Sequence, residues 1–218
     1  MTIDPAPRTT RWAGISAPDR IRERRSLLID AAFDLFGGEG EAATSIRAVC
    51  RATALNARYF YENFADLDEL LGAVYDAQAD QLAILLITAM DEAHDDASAR
   101  TRAGIETVLR FITEDPRRAR VLFTEGRSIP VLAARRRAAL EALITATAEQ
   151  GRIELGHQAG TPLPRVAAVT AAMFGGAMVE LVQSWTDARL GPDLDPVLDD
   201  AVELSLAIFE RARTLSGP

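Results

Sequence analysis

The chain has 218 residues, of which 48% are hydrophobic, a single cysteine and a formal net charge of −8. This length and composition allow a buried core and exclude wholesale disorder, and one cysteine excludes an internal disulfide and fits a reducing cytoplasm. The net negative charge excludes a protein that binds nucleic acid over its entire surface.

The N-terminal end is the basic part of the chain. Residues 1–65 contain nine arginines and eight acidic residues, whereas residues 66–218 contain fifteen arginines and twenty-four acidic residues. Any contact with DNA is therefore expected at the N-terminal end.

Within residues 1–19, three prolines predict a flexible arm. The arginines of this arm either reach a minor groove or are incidental to a disordered tail.

The first predicted helix spans residues 19–36, where apolar side chains recur at helical spacing. Gly37 and Gly38 are expected to end it, because glycine is common just beyond the last turn of a helix. Arg24 and Arg25 lie near its start. They either contact DNA phosphates or belong to a solvated helix face.

A helix-turn-helix pattern follows in the stretch TSIRAVCRATALNARYFYENFADLDELL, residues 44–71. Thr44 and Ser45 are typical of a helix N-terminus, where hydroxyl groups accept bonds from unpaired backbone N–H groups. Asn56 offers a second cap, and two phenylalanines four residues apart follow it on one face. Two short helices separated by roughly 3–4 residues predict that the second can enter a major groove.

The outward face of this second helix carries side chains suited to DNA. Arginine can pair with guanine edges, whereas tyrosine hydroxyls and asparagine amides can hold phosphates. Arg58 is the candidate for base readout because it projects from the first turn, and Tyr61 is the candidate phosphate contact. The candidate DNA-binding set is Thr44, Ser45, Asn56, Ala57, Arg58, Tyr59, Tyr61 and Asn63.

This stretch resembles the DNA-binding domain of the tetracycline-repressor (TetR) family of bacterial regulators. The pattern runs from RRSLLIDAAFDLFGGEGEAATSIRAV through LNARYFYENFADLDELL. The resemblance implies an all-α protein with an N-terminal three-helix helix-turn-helix DNA-binding domain, residues 20–66, and a C-terminal helical ligand-binding and dimerisation domain, residues 67–218. It further implies a homodimer on a palindromic double-stranded DNA operator and a small-molecule effector, with no cofactor. The closest matches are Ala31, Ala32, Leu35, Phe36, Gly40, Thr44, Ser45, Val49, Leu55, Asn56, Tyr61, Phe64, Leu70 and Leu71.

Two residues depart from the family pattern. Ala54 lies where the turn usually has glycine, and alanine resists a positive φ. Leu67 lies where the family usually has a phosphate-contacting lysine, so that contact is either missing or replaced by packing beneath the second helix. The departures keep open an alternative, a non-enzymatic helical ligand-binding or interaction protein with weakened DNA binding.

The rest of the chain is predicted to form a helical body. The last two helices, over residues 164–190 and 196–215, include one that is apolar on more than one side, which predicts a second copy as its extra neighbour. The other helices are expected over residues 66–93, 98–113, 116–125 and 131–150, the last closed by Gly151. A largely apolar effector is expected beside Phe111, Phe123, Met173, Phe174 and Met178, residues that ordinary core packing explains equally well.

The sequence contains no catalytic or metal-binding pattern. His94 and His157 are far apart, and neither has a cysteine or a spaced carboxylate pair beside it. The arginine cluster 135–137 is expected on a solvated face, and Glu180 is expected to face solvent or pair with an arginine. The longest near-apolar run, residues 166–179, is too short for a membrane span. We therefore predict a cytoplasmic, non-enzymatic, ligand-responsive DNA-binding regulator, without metal or membrane.

Overall fold

The structure is a computed structural model that describes residues 16–93, 96–124, 129–154 and 164–216. This part of the chain has nine α-helices and no strand, which confirms the all-α prediction. The predicted arm up to residue 15 and both histidines lie outside it. The helices are α1 (Ala17–Glu39), α2 (Ile46–Thr53), α3 (Ala57–Tyr61), α4 (Leu67–Glu92), α5 (Ala97–Glu114), α6 (Pro116–Ala119), α7 (Pro130–Glu154), α8 (Arg165–Thr186) and α9 (Leu194–Ser216), and a π-helical turn, Arg120–Thr124, follows α6.

The C-terminal ends of α1, α7 and α8 differ from the sequence prediction. α1 continues through Gly37 and Gly38, and the helix is closed by Gly40, whose N–H donates to the backbone oxygen of Phe36. Gly40 has a φ of 85°, which glycine adopts without steric cost. α7 likewise continues through Gly151, because a glycine inside a helix costs only about 1 kcal/mol relative to alanine. α8 ends at Thr186, four residues before the predicted end.

α4 connects the N-terminal helices to the body. Asp66 accepts a hydrogen bond from the backbone N–H of Glu69 (2.8 Å), and the Glu69 carboxylate accepts one from the N–H of Ala65 (2.7 Å). Two backbone donors at the helix start are thereby satisfied. Leu70 and Val74 are fully buried, and α4 contacts α1 as well as α5 and α7. One continuous helix therefore belongs to both parts of the molecule.

α6 makes a second contact between the N-terminal helices and the body. Arg117 donates to Asp34 of α1 (2.7 Å) and to Asp115 (2.7 Å). Hydrogen bonds from Arg117 lower the pKa of the Asp115 carboxyl, so this pair is charged at neutral pH. Arg120 also donates to the backbone oxygen of Gly38. These bonds fix α6 against the C-terminal end of α1.

Two arginines of the cluster 135–137 hold α7 against its neighbours. Arg135 Nε donates to Asp76 of α4 (2.9 Å), and Arg136 Nε donates to the backbone oxygen of Leu122 (2.9 Å). The expectation of a solvated face is therefore wrong for these two, because their partners come from other elements. Arg137 alone is exposed as expected.

α8 and α9 pack against each other and present apolar side chains to solvent. The ring of Phe174 in α8 lies 5.2 Å from the ring of Phe209 in α9. The exposed apolar side chains of α8 and α9 include Val169, Met173, Leu204 and Ile208.

Length and composition would allow α4 and α8 to cross a membrane, but the core helices of soluble proteins have the same properties.

Candidate nucleic-acid interface

The two hydroxyl residues before α2 have different roles. Ser45 Oγ accepts a hydrogen bond from the N–H of Ala48 (3.2 Å) and caps the helix. Thr44 is only 6% exposed, and its Oγ1 donates to the backbone oxygen of Gly40 (2.9 Å). Ser45 therefore stays at the surface, whereas Thr44 holds the loop before α2.

Ala54 adopts the left-handed conformation that the turn between α2 and α3 requires. Its φ and ψ are 56° and 24°, and its N–H donates to the backbone oxygen of Arg51 (3.4 Å). The left-handed region costs a non-glycine residue about 1–2 kcal/mol. Alanine in place of the usual glycine thus costs stability, while the turn keeps its left-handed geometry.

α3 buries one face and exposes the other. Asn56 caps the helix through its side chain. Phe60 and Phe64 are at most 1% exposed, and their ring centres are 6.0 Å apart. On the other side, the Arg58 side chain is 83% exposed and Tyr61 is 59% exposed. A helix of one turn is unstable alone, so the buried phenylalanines must fix the position of the exposed side chains.

Arg24 and Arg25 of α1 pack against α3. The guanidinium carbon of Arg24 lies 4.5 Å from the ring centre of Tyr59, and that of Arg25 lies 4.2 Å from the ring centre of Phe64. Arg25 also donates to the backbone oxygen of Asn63 (2.9 Å). The solvated face is therefore wrong for these arginines, because their guanidinium groups pack on aromatic rings of the domain. The phosphate contact stays a prediction.

Tyr59 and Asn63, two members of the candidate set, are half-buried. Asn63 Nδ2 donates to the backbone oxygen of Tyr59 (2.8 Å), and its Oδ1 is buried. The Asn63 amide therefore contacts its own domain, and its phosphate contact stays a prediction. The exposed members of the set are Ser45, Asn56, Ala57, Arg58 and Tyr61.

Two exposed arginines on α2 are absent from the candidate set. Arg47 and Arg51 are four residues apart, so they lie on one side of the helix, away from the buried Val49. The first helix of a helix-turn-helix crosses the DNA backbone. Their spacing of four residues in the sequence could have identified them as two arginines on one exposed face of α2.

Leu67 is half-buried at the first turn of α4 and packs against the hydrophobic core. It lines a shallow groove together with Glu39, Gly40 and Glu41. The structure therefore favours the packing alternative for Leu67.

Replacing Leu67 by lysine is expected to lower the free energy of unfolding by about 1 kcal/mol, because roughly half the burial of a leucine is lost. The dependence of DNA affinity on salt is expected to stay unchanged. A melting curve and a salt titration of DNA binding measure the two effects. A steeper slope of log K against log[salt], by about 0.9, with an unchanged melting midpoint would instead identify a new phosphate contact.

The helix-turn-helix region matches a known protein family. Residues 28–74 match the family model described as bacterial regulatory proteins, tetR family. The N-terminal domain belongs to the TetR family. The match begins in α1 and ends in α4, so it includes all the exposed members of the candidate set, and it confirms the resemblance seen in the sequence.

Solved structures of transcriptional regulators share the fold of the chain beyond the TetR-family domain. A transcriptional regulator from Rhodococcus sp. Rha1 is 20% identical with a TM-score of 0.68, covering 86% of this chain and 96% of that one. A transcriptional regulator from Pseudomonas aeruginosa PAO1 is 17% identical with a TM-score of 0.71, covering 94% and 95%. The fatty acid degradation regulator FadR from Bacillus halodurans is 17% identical with a TM-score of 0.68, covering 84% and 94%. The family and these neighbours are regulators, not enzymes.

The residues predicted to line an effector pocket in the body have different surroundings. Met173 is 58% exposed on α8. The ring of Phe111 is covered by the guanidinium of Arg118 (4.2 Å), and the ring of Phe174 packs on Phe209. Packing within the chain thus accounts for the contacts of both phenylalanines. The four buried or half-buried members are Phe111, Phe123, Phe174 and Met178.

A cavity of about 270 Å³ lies between α5, α6 and the end of α8. Ile112, Ala119, Trp185 and Pro192 contribute to its wall, and Trp185 Nε1 donates to Thr113 Oγ1 (2.9 Å). None of the predicted pocket residues lines it. The cavity is mainly apolar, and its wall includes two residues of α6, the helix that contacts α1.

Glu180 is 62% exposed and lies 3.2 Å from Arg189, so it is both solvent-facing and paired with an arginine, as expected.

Among the residues that the structure describes, no group of three or more histidine, cysteine, aspartate or glutamate side chains is arranged to hold a metal ion. His94 and His157 lie outside the described ranges.

Proposed function

We propose that this chain is a DNA-binding transcriptional repressor that acts as a homodimer and releases its operator when a small, largely apolar effector binds. The observation that carries the proposal is the two-sided α3, in which the buried Phe60, packed on Phe64 just beyond the helix, supports the exposed Arg58 and Tyr61. The exposed Arg47 and Arg51 of α2 are proposed to contact the phosphates on either side of the groove.

The proposal is tested by selecting duplexes from a random library with the full-length chain. Enriched duplexes should contain a palindrome whose half-sites are separated by about one helical turn, roughly 34–36 Å, because a two-fold dimer reads two half-sites. Binding should weaken steeply with salt, since phosphate contacts release counterions. Enrichment of no duplex would contradict the proposal.

Replacing Arg58 by alanine is expected to cost about 1–3 kcal/mol of binding to the preferred duplex and to relax the preference at one base pair in each half-site. Tyr61→Phe is the matched control, because loss of a phosphate contact weakens binding to all sequences alike. Competition binding against single-base variants of the duplex measures both. An unchanged base preference in the Arg58 variant would remove Arg58 from base readout.

The apolar face of α8 and α9 supports the proposed dimer. Val169 and Met173 are four residues apart on α8 and are 52% and 58% exposed. Leu204 and Ile208 are four residues apart on α9 and are 65% and 37% exposed. Gly176, one turn further along α8, has open space around its Cα. Two neighbouring helices with such faces form a four-helix interface with a second copy.

Replacing Leu204 by glutamate is expected to convert the dimer to a monomer, because like charges would meet across the two-fold axis of the interface. Operator affinity should fall by about 10²-fold or more, since each DNA-binding domain then binds its half-site alone. Ile84→Glu, at an equally exposed position (66%) on α4, is the control and should leave the dimer intact. Sedimentation of both variants beside the unmodified chain tests the assignment, and a dimeric Leu204 variant would refute it.

The proposed effector is small and largely apolar, and it binds in the body next to α6. The cavity beside Trp185 and Ile112 supports this location, because Pro116 and Ala119 of α6 form part of its wall. α6 is bonded to α1 through Arg117, so a ligand that displaces α6 changes the position of the DNA-binding helices. Coupling of this kind is reciprocal, so DNA must weaken effector binding by the same factor.

A mixed compound library is screened for compounds that raise the melting midpoint, and those compounds are then tested for release of the selected duplex. Trp185→Ala should weaken the response to releasing compounds, whereas Ile84→Ala, at an exposed position on α4 outside both the cavity and the proposed dimer interface, should not. Release by small, highly charged anions alone would contradict the proposed effector class while leaving the DNA-binding proposal intact.

A further inference from the structure

Glu62 lies between two arginines at the C-terminal end of α3. Its Oε1 accepts a hydrogen bond from Arg58 Nε (3.1 Å), and its Oε2 lies 3.5 Å from Nη2 of Arg24. Arg24 is itself held over the ring of Tyr59, and its side chain is 13% exposed. The two carboxylate oxygens therefore have separate partners, one fixed within the domain and the other at the DNA-facing surface.

The bond to Glu62 engages only one nitrogen of the Arg58 guanidinium. Within the described residues, Nη1 and Nη2 of Arg58 have no hydrogen-bond partner, and the side chain is 83% exposed. Paired arginine N–H groups are what guanine O6 and N7 accept in a bidentate contact. The carboxylate thus restrains the guanidinium while leaving one complete donor edge available to a base.

Stability does not account for this arrangement. An exposed ion pair contributes little to folding, because solvent screens it and two long side chains lose freedom. A carboxylate on a DNA-facing helix also repels phosphates and weakens binding to every sequence. A glutamate can also read cytosine directly, but both oxygens of Glu62 face arginines, which favours a role in orienting Arg58.

We propose that Glu62 is a positioning residue for base readout: anchored by Arg24, it holds Arg58 through Nε so that the Nη1 and Nη2 edge is presented to a guanine in each half-site. This inference rests on the proposed DNA-binding function. Glu62 raises sequence preference and lowers the affinity for DNA in general.

The test measures affinities of the full-length chain and its variants for the selected duplex, for the duplex with the Arg58-dependent base pair changed, and for a scrambled duplex. In Glu62→Ala the preference for the original base pair should fall at least about fivefold, the lower end of what a bidentate contact provides. Binding to the scrambled duplex should become tighter at low salt, because a phosphate-repelling charge is removed.

Glu62→Gln separates orientation from charge. Its amide oxygen still accepts from Arg58 Nε, so the base preference should stay within about twofold of the unmodified chain, whereas binding to the scrambled duplex should tighten as in Glu62→Ala. Asp68→Asn, an exposed acid in the first turn of α4, is the control for charge alone and should leave base preference unchanged. The double variant Arg58→Ala with Glu62→Ala should lose no more preference than Arg58→Ala, since residues that act as a unit are not additive.

A Glu62→Ala variant that keeps its base preference would overturn the inference. Additive losses in the double variant would also overturn it, as would an equal loss of preference in Glu62→Gln, which would assign the effect to charge. The melting midpoint of each variant should stay within a few degrees of that of the unmodified chain. This result would show that α3 keeps its position in the domain. If the unmodified chain selects no duplex, the proposed function fails; if it does and Glu62→Ala retains the preference, the inference alone fails.

Discussion

Replacing Phe60 by alanine is expected to lower the free energy of unfolding by about 3–5 kcal/mol. Phe60 is fully buried, and its ring centre lies 6.0 Å from that of Phe64 and 5.4 Å from that of Tyr61. Alanine would leave a cavity beneath a helix of only five residues, Ala57–Tyr61, which has few other buried contacts to hold it. Urea unfolding followed by circular dichroism measures the loss.

Tyr61→Ala is the matched control for Phe60→Ala. The two residues are adjacent on α3, but Tyr61 is 59% exposed, so its replacement should cost at most about 1.5 kcal/mol, the upper range for one aromatic pair, here the contact with Phe60. DNA affinity should fall in both variants, with the larger loss of stability in the first. Equal destabilisation by the two replacements would mean that α3 does not have the buried and exposed faces described above.

Replacing Gly37 by alanine is expected to lower the free energy of unfolding by about 1–3 kcal/mol, the usual cost of overpacking. A Cβ at Gly37 would lie 2.7 Å from Arg117 Cβ and 3.3 Å from the Arg117 backbone oxygen. These atoms cannot rotate away, so α1 and α6 would have to separate. The Arg117 bond to Asp34 would be strained, and DNA binding should become less sensitive to the effector, because the α1–α6 contact carries the proposed coupling.

Gly38→Ala provides the control for the same helix turn. No atom lies within 4 Å of a Cβ built at Gly38. Alanine there should raise the free energy of unfolding, by less than about 1 kcal/mol, because it reduces the entropy lost when the helix forms. Thermal unfolding of both variants should therefore show opposite shifts. Shifts in the same direction would contradict a close contact between Gly37 and α6.

Sequence patterns within one or two helical turns predicted the two helices that form the DNA-binding site. Capping residues and apolar spacing identified α2 and α3, and the structure confirms Ser45 and Asn56 as caps and Phe60 and Phe64 as the buried face. Such features depend on neighbours within one or two turns, and the sequence contains that information directly. The exposure of Arg58 followed from the same helical spacing.

Contacts between distant segments could not be predicted in this way. Arg25 and Asn63 are hydrogen-bonded across 38 residues of sequence, and Arg117 and Asp34 across 83. An arginine on a helix looks the same in the sequence whether it meets water, a phosphate or an aromatic ring. The role of Gly37 was missed for the same reason, because the atom that requires a glycine belongs to α6.

The most direct test of the account is the affinity of the full-length chain for its selected duplex and for a scrambled duplex of equal composition, measured by fluorescence anisotropy over a range of salt concentrations. The account predicts at least about 10³-fold tighter binding to the selected duplex at physiological salt. It also predicts a linear fall of log K with log[salt]. The slope should become shallower by about 0.9 when either Arg47 or Arg51 is replaced by glutamine, because each replacement removes one charged partner of a phosphate. Equal affinity for the two duplexes, or a slope that neither replacement changes, would contradict sequence-specific binding through α2 and α3.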